Sequence, residues 1–201
     1  MPEALRKVEF CEGLRHLVMD FECGTEIWAK EVAEWIKVDA LRCMSDPKRP
    51  CKVWLYLTED DKLVGFSSLG RSKWVGYPKI AIIPNVAVKT GFQGQGYFRK
   101  ILEDVAAEAL VIIASNPQFE KVLGLFVHPA NSAIDCYKHL GFVDWEKQAY
   151  FDKASGITYK AMLKNLQPPE DNQSQPVSTA AEMPEPPATA QKSEDASEGP
   201  C

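Results

Sequence analysis

The residues best suited to chemistry lie at a glycine-broken turn, Gln93-Gly94-Gln95-Gly96, which joins an apolar segment to an amphipathic one. Glycine adopts positive φ and lets a ligand approach the backbone, and the N–H groups at the start of a helix attract anions. The side chain of Gln93 adds an amide at the same turn. These features predict a site for a phosphate or pyrophosphate, and the alternative is an ordinary turn between a strand and a helix.

The common nucleotide-binding motifs do not occur in the sequence. No segment has the GxxxxGK[ST] spacing, whose lysine and hydroxyl group bind a nucleoside triphosphate. The turn is also no GxGxxG motif, because Phe98-Arg99 stand where the third glycine is needed. The anion is therefore expected to belong to another phosphate-bearing cofactor.

A second segment of chemical interest runs from His128 through Asn131 and Tyr137 to Gly141-Phe142. Histidine has the ordinary pKa nearest to neutrality, and a tyrosine hydroxyl can donate a proton. Together, the two segments resemble the GNAT superfamily of acetyl-CoA-dependent N-acetyltransferases. The turn resembles that family's [Q/R]-x-x-G-x-[G/A] pyrophosphate loop, and Tyr137-x-x-x-Gly141-Phe142 resembles its closing helix and turn.

The resemblance implies an α/β fold in which helices flank a mixed, mostly antiparallel central sheet whose fourth and fifth strands splay apart. The pantetheine of acetyl-CoA would enter that gap and pair with backbone groups of Val86-Ala87-Val88. Asn131 and Tyr137 would complete the cofactor site, for which no metal is expected. Backbone N–H groups would hold the pyrophosphate along Gln93, Gly94, Gln95, Gly96, Tyr97, Phe98 and Arg99.

The implied reaction is direct transfer of the acetyl group to an amine within a ternary complex. The amine attacks the thioester, a backbone N–H such as that of Val88 stabilises the oxyanion, and Tyr137 protonates the leaving thiolate. The alternative for Tyr137 is a core aromatic with a hydrogen-bonded hydroxyl. His128 is the candidate base, with a surface-loop histidine as its alternative, and Glu22, Glu26 or a chain of waters could also take the proton.

The sequence departs from the family pattern at three places. Phe98 stands where the family normally has glycine or alanine, and Asn131 lies one position closer to Tyr137 than the family's usual asparagine. Pro84 and Asn85 occupy the stretch of the fourth strand where the family frequently carries a carboxylate base. The missing carboxylate and Phe98 favour an alternative from another class, a catalytically idle acyl-CoA-binding or sensor module.

The elements that would position these residues follow from apolar periodicity. Strands are predicted at 8–11, 53–57, 63–68, 80–88, 122–127, 143–151 and 157–163. A helix capped by Thr25 and stopped by Asp46-Pro47 is expected to bury one face, made of Trp28, Val32, Trp35 and Ile36. A short helix is predicted at 133–139, and the helix after the glycine turn is expected to bury Phe98, Ile101, Leu102, Val105 and Ala109.

Residues 168–201 differ from the rest of the chain in composition and charge. They hold seven of the 14 prolines and seven acidic residues against one lysine. Such a segment cannot bury enough apolar surface to offset its ordering entropy, which predicts a disordered Pro/Ala/Ser/Glu-rich acidic tail after an acetyltransferase-like domain at 1–167. The domain itself is close to neutral, and this argues against a nucleic-acid partner.

The six cysteines show neither a CxxC pair nor the spacing of metal ligands. The N-terminus has no signal-like apolar stretch, and no apolar run reaches the length of a membrane span. These observations predict a cytoplasmic protein with reduced cysteines and no membrane partner.

The acceptor is expected to bind between the first helices, at 14–43, and the last hairpin, at 145–159. An amine on a small molecule or on a protein is the favoured acceptor class. The run Phe21-Glu22-Cys23-Gly24 faintly resembles a toxin-like branch that modifies aminoacyl-tRNA, which is a lesser alternative. The aromatic residues Tyr150, Phe151 and Tyr159 of the last hairpin permit a homodimer through shared sheet edges.

Overall fold

The computed structural model describes residues 4–45 and 51–166, all within the compact unit Met1–Pro168. The predicted tail and the Asp46-Pro47 helix stop lie outside the described residues. The helices are α1 (Arg15–Met19), α2 (Ile27–Ser45), α3 (Tyr97–Ala114) and α4 (Ile134–His139), with a 3₁₀ turn at Glu12–Leu14. The strands are β1 (Arg6–Glu9), β2 (Lys52–Leu57), β3 (Leu63–Trp74), β4 (Tyr77–Ile83), β5 (Val86–Val88), β6 (Val122–Val127), β7 (Phe142–Asp152) and β8 (Ile157–Asn165).

The strands form an eight-stranded sheet in the order β1-β2-β3-β4-β6-β8-β7, with β5 paired beside β3. Neighbouring strands are antiparallel except for the parallel pair β4 and β6. A mixed, mostly antiparallel sheet flanked by helices is therefore confirmed. The helix α3 is the crossover that the parallel pair requires.

The predicted fourth strand, 80–88, is two strands in the structure. Pro84 and Asn85 separate β4 from β5, since proline has no N–H to donate to a sheet ladder. Pairing of β4 with β6 ends at Ile83 and Leu125, and β5 pairs with β3 alone among the described strands. The predicted splay is confirmed, and it begins at this interruption.

The two faces of the sheet carry separate hydrophobic clusters. Trp54 and Tyr56 of β2 contact the cluster that includes α3, whereas Val53 and Leu55 contact the cluster that includes α2. Successive strand side chains point to opposite faces, so α3 covers one face and α2 covers the other. The buried face of α3 consists of Tyr97, Ile101, Leu102, Val105, Ala106, Ala109 and Ile113.

The predicted buried face of α2 is only partly right. Its fully buried residues recur at helical spacing and are Ala29, Ala33, Ile36 and Ala40. Small side chains let the helix approach the sheet closely. The bulkier residues at the edge of this face, Trp28, Val32 and Trp35, are half-buried and line cavities.

No helix in the described ranges 4–45 and 51–166 is long and apolar enough to cross a membrane.

Gly65 lies where α3 packs tightly against the sheet. A Cβ at this position would lie 2.9 Å from the carbonyl oxygen of Ala87 and would also clash with Cδ1 of Ile101. We expect Gly65→Ala to lower the free energy of unfolding by about 1–3 kcal/mol, because the backbone oxygen cannot move without disturbing β5. Chemical denaturation of the purified variant would measure the change.

Gly13→Ala is the matched control, since a Cβ there would meet no atom within 4 Å. Equal stabilities of the two variants would show that helix and sheet are further apart than described.

Candidate active site

The register of β5 decides which of its backbone groups face the gap in the sheet. The N–H of Ser68 donates to Asn85 (2.8 Å) and the N–H of Lys89 donates to Val64 (2.8 Å). Hydrogen-bonding residues alternate along an antiparallel strand, so Ala87 also faces β3 and Val86 and Val88 face the opposite side. The N–H groups of Val86 and Val88 therefore point into the gap that the splay opens.

A buried polar cluster fixes the interruption between β4 and β5. The side-chain amide of Asn85 donates to Oδ2 of Asp39 (2.7 Å), and its backbone N–H donates to Oγ of Ser68 (3.0 Å). The Ser68 hydroxyl returns a hydrogen bond to the carbonyl of Asn85 (3.3 Å). Asp39, Asn85 and Ser68 are all buried, so each bond is shielded from water.

The glycine turn has the conformation that its residue types predict. Gly94 has φ of 75°, and Gly96 has φ of 85° and caps the N-terminus of α3. The Gln93 side chain donates to the carbonyls of Cys23 (2.7 Å) and Val88 (3.1 Å). Gln93 thus joins the turn to β5 and to the segment before α2.

A cavity of about 530 Å³, called here the large cavity, lies between this turn, β5 and α4. Gln95 and Tyr97 do not line it: the Gln95 amide donates to Gly91 (3.1 Å), and the Tyr97 ring is buried against Phe92. Only the backbone of these two residues could serve a ligand. The other predicted cofactor residues do line the cavity, namely Val86, Ala87, Val88, Gln93, Gly94, Gly96, Phe98, Arg99, Asn131 and Tyr137.

Tyr137 is buried at the inner end of the large cavity. Its ring meets the edges of Phe98 (5.4 Å between centroids) and Phe142 (5.7 Å). The hydroxyl has no hydrogen-bond partner among the described residues, and burial raises the pKa of Tyr137. The phenol therefore keeps its proton across the neutral range, and no described residue satisfies its hydroxyl.

Phe98 turns toward the protein core and does not fill the turn. It is half-buried, packs on the α3 side of the sheet and holds the ring of Tyr137 edge-on. The residue that departs from the family pattern is thus a packing partner of the candidate acid.

His128 follows β6 and is half-buried. Its Nδ1 accepts a hydrogen bond from the N–H of Ala130 (3.1 Å), so the neutral ring carries its proton on Nε2. Its ring lies 5.6 Å from that of Tyr159. The lone pair that a base would use is therefore engaged, and uptake of a proton at Nδ1 requires this turn to release the Ala130 N–H.

A second, smaller cavity of about 40 Å³ lies next to the large one. We call it the small cavity. Trp35, Pro84, Asn85, His128 and Tyr159 are among the residues around it. Both cavities are lined by Val32, Val86, Asn131 and Tyr137, so they meet at the candidate acid.

The sequence analysis assigned no role in this site to Glu31, Asp39 or Tyr159. Tyr159 lines the small cavity, and Glu31 and Asp39 each accept a hydrogen bond from a residue that lines it. The Tyr159 hydroxyl donates to Oε2 of Glu31, although 128 positions separate the two residues. Burial and the bond to Glu31 both raise the pKa of Tyr159. The only signal in the sequence was the expectation that the first helices and the last hairpin form the acceptor side.

Two cysteines line the large cavity, and neither is suited to nucleophilic chemistry. Burial raises the pKa of the Cys23 thiol to about 11 and also raises the pKa of Cys136. Both side chains are therefore neutral thiols near pH 7. Among the residues that the structure describes, no cluster of His, Cys, Asp and Glu could hold a metal ion.

The fold, with an interrupted strand beside a glycine turn that opens a helix, is the one that the sequence resemblance implies. Residues 50–144 match the family model described as the acetyltransferase (GNAT) domain. The resemblance to the GNAT family that the sequence motifs indicate is confirmed over this segment. No curated protein sequence matches the chain.

Solved structures with the same fold include two acetyltransferases. A GNAT-family acetyltransferase from Staphylococcus aureus Mu50 has a TM-score of 0.59 at 14% identity, over 82% of this chain and 100% of that chain. A spermidine N-acetyltransferase chimera from Vibrio cholerae has a TM-score of 0.59 at 15% identity, over 81% and 95%. A structure described as a bacterial toxin has a TM-score of 0.58 at 16% identity, over 82% and 92%. At these identities the likeness shows the fold alone.

The Asn85 and Asp39 pair can be tested by a double-mutant cycle. We expect Asn85→Ala and Asp39→Ala to couple by about 1–3 kcal/mol in the free energy of unfolding, because each leaves the other buried group without this bond. Denaturant titrations of the two single variants and the double variant give the coupling.

Glu34 lies on α2, as Asp39 does, but is exposed. A parallel cycle of Asn85→Ala with Glu34→Ala should therefore give a coupling near zero. Additive effects in the first cycle would mean that Asp39 does not hold the interruption.

Proposed function

We propose that this protein transfers the acetyl group of acetyl-CoA directly to an amine. The observation that carries the proposal is the meeting of the two cavities at Tyr137, beside the unpaired edge of β5. One cavity would hold the thioester substrate and the other the amine, so that both reach the same hydroxyl. The match of residues 50–144 to the acetyltransferase (GNAT) domain supports this assignment of roles.

The backbone groups around the large cavity suit the pantetheine and the pyrophosphate of acetyl-CoA. The N–H of Val86 and the carbonyl oxygens of Val86 and Val88 can pair with the amides of pantetheine as a neighbouring strand would, and the N–H of Val88 is left for the reacting carbonyl. The backbone N–H groups from Gln93 to Arg99, at the positive end of α3, suit the pyrophosphate. Arg99 is exposed and pairs with Glu103 (2.9 Å), so its part is limited to its backbone and to long-range charge.

In the proposed reaction the amine nitrogen attacks the thioester carbonyl carbon. A C–N bond forms, the C–S bond breaks, and the N–H of Val88 stabilises the oxyanion between these events. Tyr137 gives its proton to the leaving thiolate, and the proton that the amine loses balances it. His128 stays the proposed base, and it would take that proton at Nδ1 once the bond from Ala130 opens.

Two alternatives remain distinguishable by experiment. An idle acyl-CoA-binding or sensor module would bind CoA without releasing thiol in the presence of any amine. An aminoacyl-tRNA acetyltransferase would accept the α-amine of an aminoacyl ester. Purified protein incubated with acetyl-CoA and an amine panel, followed by thiol detection, separates all three.

We also infer that the protein resides in a reducing compartment, the cytoplasm, because its cysteines form neither CxxC pairs nor a metal-ligand pattern. A homodimer through β7 stays a prediction, and it is supported by the exposure of Tyr150 and Phe151 on this terminal strand.

Tyr137→Phe removes the proposed acid and little else, since its hydroxyl has no partner among the described residues. We expect turnover to fall by roughly one to four decades while acetyl-CoA affinity changes less than about threefold. Steady-state thiol release and calorimetric titration measure the two quantities.

Tyr77→Phe is the control, because Tyr77 is a half-buried tyrosine that packs on Trp145 away from both cavities. Turnover unchanged in Tyr137→Phe would remove the acid role.

Gly94→Glu places a carboxylate in the large cavity at the proposed pyrophosphate position. We expect the dissociation constant for CoA to rise at least about tenfold, since like charges repel and the turn loses its shape.

Gly76→Glu is matched to it, because both glycines have positive φ (75° and 82°) and neither Cβ would meet an atom within 4 Å. Equal CoA affinities in the two variants would place the pyrophosphate elsewhere.

A further inference from the structure

We propose that the small cavity selects an unbranched primary alkylamine, recognised as its ammonium form by a carboxylate-backed aromatic pocket, and that the ammonium gives one proton to solvent before the neutral nitrogen attacks. This inference rests on the proposed function, because it assigns the acceptor class of that reaction. Four observations carry it: the charge behind the cavity walls, the face of α2 that supplies it, the aromatic pair and the size of the cavity.

Carboxylates lie behind one side of the small cavity. No lysine or arginine lines it within the part of the chain that the structure describes. Two carboxylates lie directly behind its walls: Glu31 accepts the hydroxyl of Tyr159, and Asp39 accepts the amide of Asn85. A cleft backed by one sign of charge in apolar surroundings concentrates ligands of the opposite sign, here an ammonium.

Both carboxylates come from one face of α2. Glu31, Trp35 and Asp39 are spaced four residues apart, so their side chains follow one another along the helix. Trp35 lines the small cavity between the two acids. This face of α2 thus presents Glu31, Trp35 and Asp39 in succession. Of these three, Trp35 is the residue that a ligand in the small cavity would contact.

The aromatic walls suit a cation. The rings of Trp35 and Tyr159 are 5.2 Å apart and inclined by 53°, and His128 stands edge-on to Tyr159. An ammonium near the face of a tryptophan or tyrosine ring is stabilised by the ring quadrupole, more strongly when water is excluded. Tyr159 lines the cavity, and its hydroxyl is fixed by the hydrogen bond that it donates to Glu31.

The size of the small cavity restricts the carbon that bears the nitrogen. A volume of about 40 Å³ accommodates about three water-sized groups. An unbranched tip of nitrogen, α-carbon and β-carbon fills this volume, whereas a second substituent on the α-carbon exceeds it. Free alkyl diamines and lysine side chains share this tip, and the α-amine of an amino-acid residue does not.

The test is a panel of amines offered to the full-length wild-type protein with acetyl-CoA, with thiol release as the readout. 1,4-Diaminobutane and Nα-acetyl-lysine amide represent the two sources of an unbranched amine, and alaninamide and 2-aminobutane carry a branched α-carbon. We expect kcat/KM to be about 10–200-fold higher for the better unbranched amine than for either branched one. The ratio between the two unbranched amines tells which source the rest of the site prefers.

Glu31→Gln tests the recognition of charge while keeping an acceptor for Tyr159. We expect KM for the unbranched amine to rise about tenfold, with KM for acetyl-CoA unchanged. Glu34→Gln, three residues further along α2, is the matched control, because Glu34 is exposed and its carboxylate pairs with Lys37 (2.8 Å). A Glu31→Gln variant with unaltered KM for the amine would overturn the role of the carboxylate.

The outcomes separate this inference from the proposed function. Thiol release with branched amines at equal or higher kcat/KM would overturn the inference and leave acetyl transfer intact. CoA binding without thiol release for every amine would overturn the proposed function and the inference with it.

Discussion

The structure of the site depends on one interruption in one strand. Pro84 has no N–H to donate to a neighbouring strand. The backbone and side-chain polar groups of Asn85 form hydrogen bonds with Ser68 and Asp39. The chain therefore leaves β6 after Ile83 and continues along β3 alone. An unpaired backbone edge inside a protein normally carries a free-energy cost, and here that edge is the surface on which a strand-like ligand can lie.

The elements around this interruption each supply one part of the site. The helix α3 brings its N-terminus and the glycine turn to one side of the gap, and α4 brings Tyr137 to the other. Gln93 ties the turn to β5 and to the segment before α2, so the glycine turn and the strand edge keep a fixed separation. The helix α2 closes the far side, with alanines against the sheet and larger residues toward the cavities.

The sequence was informative where chemistry and local pattern coincide. The glycine turn, the amphipathic helix after it and Tyr137 were predictable, because each is encoded by a few neighbouring residues. The contacts of Glu31 with Tyr159 and of Asp39 with Asn85 join residues 128 and 46 positions apart, so no local pattern reveals them. The buried face of α2 was misjudged because large apolar residues suggested burial, whereas close packing on the sheet selected alanine.

The central claim is that the edge of β5 and the hydroxyl of Tyr137 receive the thioester of acetyl-CoA. A crystal structure with bound CoA tests it most directly. We predict pantetheine amides hydrogen-bonded to the backbone of Val86 and Val88, with the sulfur within hydrogen-bond reach of the Tyr137 hydroxyl. Pantetheine bound away from β5, or a sulfur atom remote from Tyr137, would contradict the account.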